Sequence, residues 1–103
     1  MKKVIKNGLV AVLYSPGFGA GWSTWNDDQG ILFDPEIVRK VEQGKQSEIT
    51  ECFMESIGYK NMYCGGAEDL EIEWVCEGCQ FEVEEYDGSE SVHIIGDRGY
   101  TTA

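Results

Sequence analysis

The chain has 103 residues, a length that suits one compact domain spanning 1–103. Nineteen acidic residues against eight basic ones give a formal net charge of −11, which excludes nucleic-acid binding through a basic groove. No apolar run nears the roughly 20 residues of a membrane span, while the apolar and aromatic content is that of a folded protein.

The start, "MKKVIKNG", places lysines before a short apolar run. That run is too brief for a signal peptide and "SPGFGAGW" is a poor cleavage site, so the expected compartment is the cytoplasm. Asn7-Gly8 is a turn signal, and the apolar, β-branched run from Leu9 to Tyr14 predicts a buried strand. A glycine loop, "SPGFGAGWSTWN", follows. "GILFDPEIVRKVEQGK" predicts a short strand and then a helix capped by Asp34, with Pro35 in its first turn and Gly44 at its close. "QSEITECFMESIGYK" predicts a second helix, with Ser47 at its N-cap, an apolar face of Ile49, Phe53 and Ile57, and Gly58 at its end. "NMYCGG" predicts a short edge strand.

The C-terminal part alternates with the period of β structure. Leu70, Ile72 and Trp74 fall on one face of "DLEIEWV", and Glu71 and Glu73 on the other. "FEVEEY" repeats the pattern, with Phe81 and Val83 inward and Glu82 and Glu84 outward. "CEGC" between them has the length of a hairpin turn, and Asp87-Gly88 marks another before "SVHIIG". The expected fold is α+β: an antiparallel sheet of about four to five strands with two helices packed on one face. A domain this small buries only about two-thirds of the surface its unfolded chain exposes, so assembly into a homo-oligomer would help it.

Four features could carry function. Gly17, Gly19 and Gly21 form G-x-G-x-G, which lacks the spacing of a dinucleotide fingerprint and the lysine of a phosphate loop. What survives is a ligand loop of Gly17, Phe18, Gly19, Gly21, Trp22 and Trp25, whose backbone N–H groups could make an anion nest and whose tryptophans could stack on a base. The alternative is a glycine turn beside core tryptophans. Cys76 and Cys79 have the spacing of half a zinc site that Cys52 and Cys64 could complete; a facultative Cys76–Cys79 disulfide or plain reduced thiols are the alternatives. His93, the only histidine, sits in an apolar strand and reads as structural, and no nucleophile–base–acid order can be assembled around it. No catalytic residue and no cofactor is expected.

The acidic hairpin is the most unusual feature. No Lys or Arg occurs between Lys60 and Arg98, an interval rich in carboxylates. Glu71, Glu73, Glu82 and Glu84 are expected on one sheet face, with Glu85 and Asp87 beside them. Like charges opposite one another across strands are destabilising. Alternate residues of a strand repeat about every 6.8 Å, about two phosphate steps along a DNA strand at roughly 3.4 Å each. Such a row would suit a basic partner groove, or would only protect a sheet edge.

"VAVLYSPGFGAGWSTWN", "ILFDPEIV" and "EIEWV…F.VEEYDGSESV" together resemble a group of small acidic hypothetical proteins encoded by tailed bacteriophages. The resemblance covers about residues 8 to 95, and the turn "VCEGCQF" departs from it, since a proline and a hydroxyl residue are expected where Cys76 and Cys79 stand. It implies an accessory protein made in the cytoplasm of an infected bacterium, of the kind that acts by binding host machinery. Three functions follow as expectations. One is an inhibitor of a host defence or nucleic-acid-processing system, of anti-CRISPR or anti-restriction type, that covers a basic protein surface with a DNA-mimic-like acidic face and does not itself touch nucleic acid or membrane. Another is an oligomeric sponge holding a small signalling nucleotide in the Gly/Trp loop. The third is a structural or assembly protein of the particle.

Overall fold

A computed structural model describes residues 3–17, 21–26, 29–60, 64–96 and 101–102. The sequence expectations for Phe18, Gly19 and the stretch 61–63 lie outside these residues.

Strand β1 (Ile5–Lys6) turns at Asn7-Gly8 into β2 (Leu9–Tyr14). Both turn residues have positive φ, 53° and 77°, the geometry whose twist matches paired strands. Val10, Ala11, Val12 and Leu13 have no solvent exposure, as their apolar run requires. The segment Gln29–Leu32 is a 3-10 turn, not the expected strand. Its apolar side chains are shared between two cores, Ile31 in one and Leu32 with Phe33 in the other, which a flat strand in a sheet would not achieve.

Helix α1 (Pro35–Glu42) forms as its end signals dictate. Asp34 Oδ1 accepts the Glu36 N–H at 2.9 Å, Pro35 occupies the first turn, and Gly44 follows at φ +70°. Helix α2 is shorter than its pattern suggests, Glu51–Ser56, after a 3-10 turn at Gln46–Glu48. Thr50, not Ser47, is the cap: its hydroxyl accepts the Phe53 N–H at 3.2 Å and so competes with a helix running through it.

The remaining elements are β3 (Glu71–Cys76), β4 (Gln80–Tyr86), β5 (Ser89–Gly96) and β6 (Thr101–Thr102). The chain is α+β with antiparallel sheets, but the single sheet expected is divided in two, ordered β1-β2-β3 and β5-β4-β6. β3 pairs with β2, and β4 pairs with β5 and β6, so the "CEGC" stretch is a corner between sheets and not a hairpin. The turn residues explain this. Asn7-Gly8 and Asp87-Gly88 have positive φ at both positions, whereas in Glu77-Gly78 only Gly78 does, at +87°. Asn and Asp tolerate the left-handed region and Glu does not. A turn with positive φ at its second central residue alone splays its flanking strands instead of pairing them.

The first sheet has a core on each face. Ala11 and Leu13 join Ile37, Val38 and Met54 of the helices on one side. Val10, Val12 and Val75 meet Phe81 of the second sheet on the other, with Phe33 and Phe81 edge-on at 6.0 Å between ring centroids. No helix among the described residues is long and apolar enough to cross a membrane.

Candidate binding face

The glycine loop leaves β2 at Ser15 and is organised by a carboxylate from the far end of the chain. Glu90, on β5, is 98% removed from solvent, at 2% relative exposure. Its Oε1 accepts the Ser15 N–H at 2.9 Å. Its Oε2 accepts the Trp22 N–H at 2.7 Å, the Thr24 N–H at 3.0 Å and the Thr24 hydroxyl at 2.6 Å. The Glu90 N–H returns a bond to the Ser15 carbonyl at 2.8 Å. The loop does cradle an anion, and that anion is the protein's own side chain, so these backbone donors are already engaged.

Trp22 is wholly buried and its Nε1 donates to the Ile31 carbonyl at 3.2 Å, so of the two alternatives the sequence left open it takes the core position and is not a stacking platform. Gly17 lies close against Asp69, and a Cβ there would force the Asp69 side chain to move. A Cβ on Gly21 would lie 2.7 Å from Cδ1 of Trp25. Trp25 alone of the loop's described aromatics reaches the surface, 40% exposed, with Nε1 donating to Glu85 Oε2 at 3.0 Å.

The acidic residues are arranged differently from expectation. Glu71 and Glu73 lie on the first sheet, opposite Tyr14 and Val12, while Glu82 and Glu84 lie on the second, opposite His93 and Ser91. The four carboxylates therefore do not share one sheet face, and none opposes another across a strand pair. The repulsion that their pattern implies is relieved because β3 and β4 are not partners. Glu85 does oppose Glu90, yet Glu90 is drawn inward by the loop. Burial first, and then the carboxylates of Glu71 and Glu73, push the Tyr14 phenol above its ordinary value.

Around the β4–β5 turn the carboxylates meet aromatic surface. Tyr86 is 76% exposed. Glu85 Oε2 accepts the Gly88 N–H at 2.8 Å as well as the Trp25 indole, fixing the turn at Asp87 and the loop together. An open cleft of about 320 Å³ is lined by Glu84, Glu85, Tyr86, Ser89 and Ser91. A second groove of about 390 Å³ is lined by Pro16, Gly17, Gln46, Glu68, Asp69, Leu70 and Glu71. Ser89, in the first cleft, donates its hydroxyl to the Pro16 carbonyl, in the second, at 2.7 Å. The two acidic depressions thus flank one segment of backbone.

Four of the described basic residues are used elsewhere. Lys6 pairs with Glu42 at 2.6 Å, Lys40 with Glu48 at 2.5 Å and Arg39 with Glu36, all involving helix-side residues, and Lys3 lies 4.4 Å above the Phe33 ring. Among the described residues, no Lys or Arg forms an ion pair with the carboxylates lining the two depressions.

His93 is exposed on the outer face of the second sheet, contrary to the structural role expected for it. Ser91 Oγ lies 3.0 Å from His93 Nε2, and Glu84 Oε1 lies 3.8 Å from the same nitrogen. A relay needs the carboxylate on the opposite ring nitrogen from the nucleophile, so the three do not form a triad. The four cysteines are not brought together either. Cys52 is exposed on α2, Cys64 packs against the helix-side core, and Cys79 packs against the core between the sheets. Among the described residues no three metal-ligating side chains converge.

Known protein families, curated proteins and solved structures offer no match to the chain.

Glu90 is the loop-organising residue that the sequence pattern hides among the eleven carboxylates between Lys60 and Arg98. One signal could have found it. The Asp87-Gly88 turn fixes the register, and counting outward from it puts Glu85 and Glu90 on the same face as Val83 and Val92, which is the core face.

Proposed function

We propose that the chain is a protein-binding module that docks a basic partner surface onto the β4–β5 end of the second sheet. The observation that carries this reading is the exposure of Tyr86 and Trp25 among the carboxylates of Glu82, Glu84, Glu85 and Asp87, beside an open cleft. A guanidinium can lie flat on such a ring while a neighbouring carboxylate accepts its N–H groups. Uncompensated negative charge draws a positive partner in from a distance and sets the on-rate. The resemblance to small phage proteins supports a host target. Enzymes that process or interrogate nucleic acid present the basic grooves this face would cover, which makes an anti-restriction or anti-CRISPR inhibitor the preferred form of the reading. Glu71, in the neighbouring groove, and Glu73, exposed on the same strand, contribute as part of a two-sheet acidic surface instead of one regular row.

The test is displacement of a fluorescent DNA duplex from restriction and CRISPR effector enzymes. The wild-type protein should displace the duplex from at least one of them, and added salt should weaken that effect steeply. The double variant Glu82→Lys/Glu84→Lys and the variant Tyr86→Ala should each lose about tenfold or more in potency, corresponding to roughly 1.4 kcal/mol. Displacement that is indifferent to both variants would sink the proposal.

A further inference from the structure

The corner between the two sheets carries two thiols that the proposed binding face does not use. Cys76 ends β3 and is exposed, while Cys79, half-buried, precedes β4 and packs against the core that contains Val10 and Phe81. Gly78, at φ +87°, lets the turn close, with the Cys79 N–H donating to the Cys76 carbonyl at 3.0 Å. A closed four-residue turn holds its end Cα atoms within about 7 Å, and a disulfide spans roughly 4.4–6.8 Å. The corner is also tethered, because the Glu77 N–H donates to the Gly8 carbonyl at 2.9 Å. Cys52 and Cys64 belong to the helix side of the first sheet, so neither competes as a partner.

We infer that Cys76 and Cys79 form a reversible dithiol–disulfide site whose oxidant is a small-molecule disulfide of the glutathione type. The exposed Cys76, as thiolate, attacks one sulfur of the oxidant. The oxidant's S–S bond breaks, one glutathione leaves as thiolate and takes up a proton, and a mixed disulfide remains on Cys76. Cys79 then gives its proton to solvent, and its thiolate attacks the Cys76 sulfur and expels the second glutathione. Two protein thiols lose two electrons and one small disulfide becomes two thiols, so the exchange balances. Burial at the corner, and then the contact with Cys76, push the Cys79 thiol above its ordinary value. The closing step therefore accelerates as pH rises toward that raised value.

The experiment incubates the reduced full chain with oxidised glutathione, quenches it with acid, and reads the intact mass and the alkylation pattern after unfolding. The expected product has lost two hydrogens, with Cys76 and Cys79 shielded and Cys52 and Cys64 alkylated. Cys79→Ser should instead retain one glutathione on Cys76, and Cys52→Ser should behave as wild type. Accumulation of an unclosed mixed disulfide on the wild-type chain would overturn the inference. So would a two-hydrogen loss that persists in Cys76→Ser. Far-UV circular dichroism of each variant separates failure to fold from failure to close. None of these outcomes depends on the binding face.

Discussion

Replacing Glu90 with glutamine keeps the side chain's shape but halves its acceptors. The carboxylate serves four donors, one on Oε1 and three on Oε2. The amide's oxygen does best in the Oε2 position, where it keeps Trp22 and Thr24, and the amide nitrogen then faces the Ser15 N–H donor to donor. A buried donor left without a partner costs about 1–3 kcal/mol. The three surviving bonds lose their charge assistance, roughly half the strength of each. Relief from burying a charge offsets part of this. The net expectation for Glu90→Gln is a loss of about 2–3 kcal/mol, and for Glu90→Ala, which orphans all four donors and leaves a cavity, about 4–5 kcal/mol. For a domain near this size each 1 kcal/mol moves Tm by about 4–8 °C, so Glu90→Gln should melt about 10–20 °C lower. Thermal unfolding followed by circular dichroism reads this directly, with the exposed Glu84→Gln as a control that should change stability by less than about 0.5 kcal/mol. If Glu90→Gln melts within about 3 °C of wild type, the carboxylate does not organise the loop and the reasoning fails.

The two loop tryptophans should separate cleanly in the same assay. Trp22→Ala, at a wholly buried position, should cost about 3–5 kcal/mol, and Trp25→Ala less than about 1 kcal/mol while weakening the binding that Tyr86→Ala weakens; equal effects on stability would contradict their different burial. Tyr14 predicts an alkaline limit. Its phenol is raised from the ordinary 10.0 by burial and by Glu71 and Glu73, so its contribution is fully present below pH 10.0 and is lost as pH rises through the higher folded value. Tyr14→Phe should flatten the fall in stability above pH 10.0, and an unchanged urea midpoint profile across that range would rule the coupling out.

What the sequence made legible is what short-range chemistry decides. Asp34-Pro35 starts α1 and Asn7-Gly8 turns β1 into β2 because each signal acts within a few residues of itself. The separation of β3 from β4 was equally local, resting on Glu77 in place of Asn or Asp, but length alone made the turn resemble a hairpin. That one turn then misplaced Glu71 and Glu73 relative to Glu82 and Glu84. Thr50 displaced Ser47 as a cap because both can perform the role and only packing selects between them. The Asp87-Gly88 register could place Glu90 on the core face, but what Trp22 and Glu90 meet there was beyond any local pattern. Their burial depends on contacts reaching 68 and 75 positions along the chain, between segments whose composition reads as turn.

The bond from Ser15 to Glu90 also dictates a timetable. β2 is made early, yet its hydrogen-bonding partner β3 begins only at Glu71, and the loop that leaves β2 finds its acceptor 75 residues later. A nascent chain emerging from the ribosome therefore carries an apolar strand with an unpaired edge and a loop with unsatisfied donors until the last hairpin is outside. Contacts so distant in sequence slow folding, because chain closure must precede their reward. In the cell this protein should acquire its native loop only once Glu90 has left the ribosome, and a chaperone that shields exposed strands should be found on ribosomes stalled before Glu90 and not on those stalled well after it.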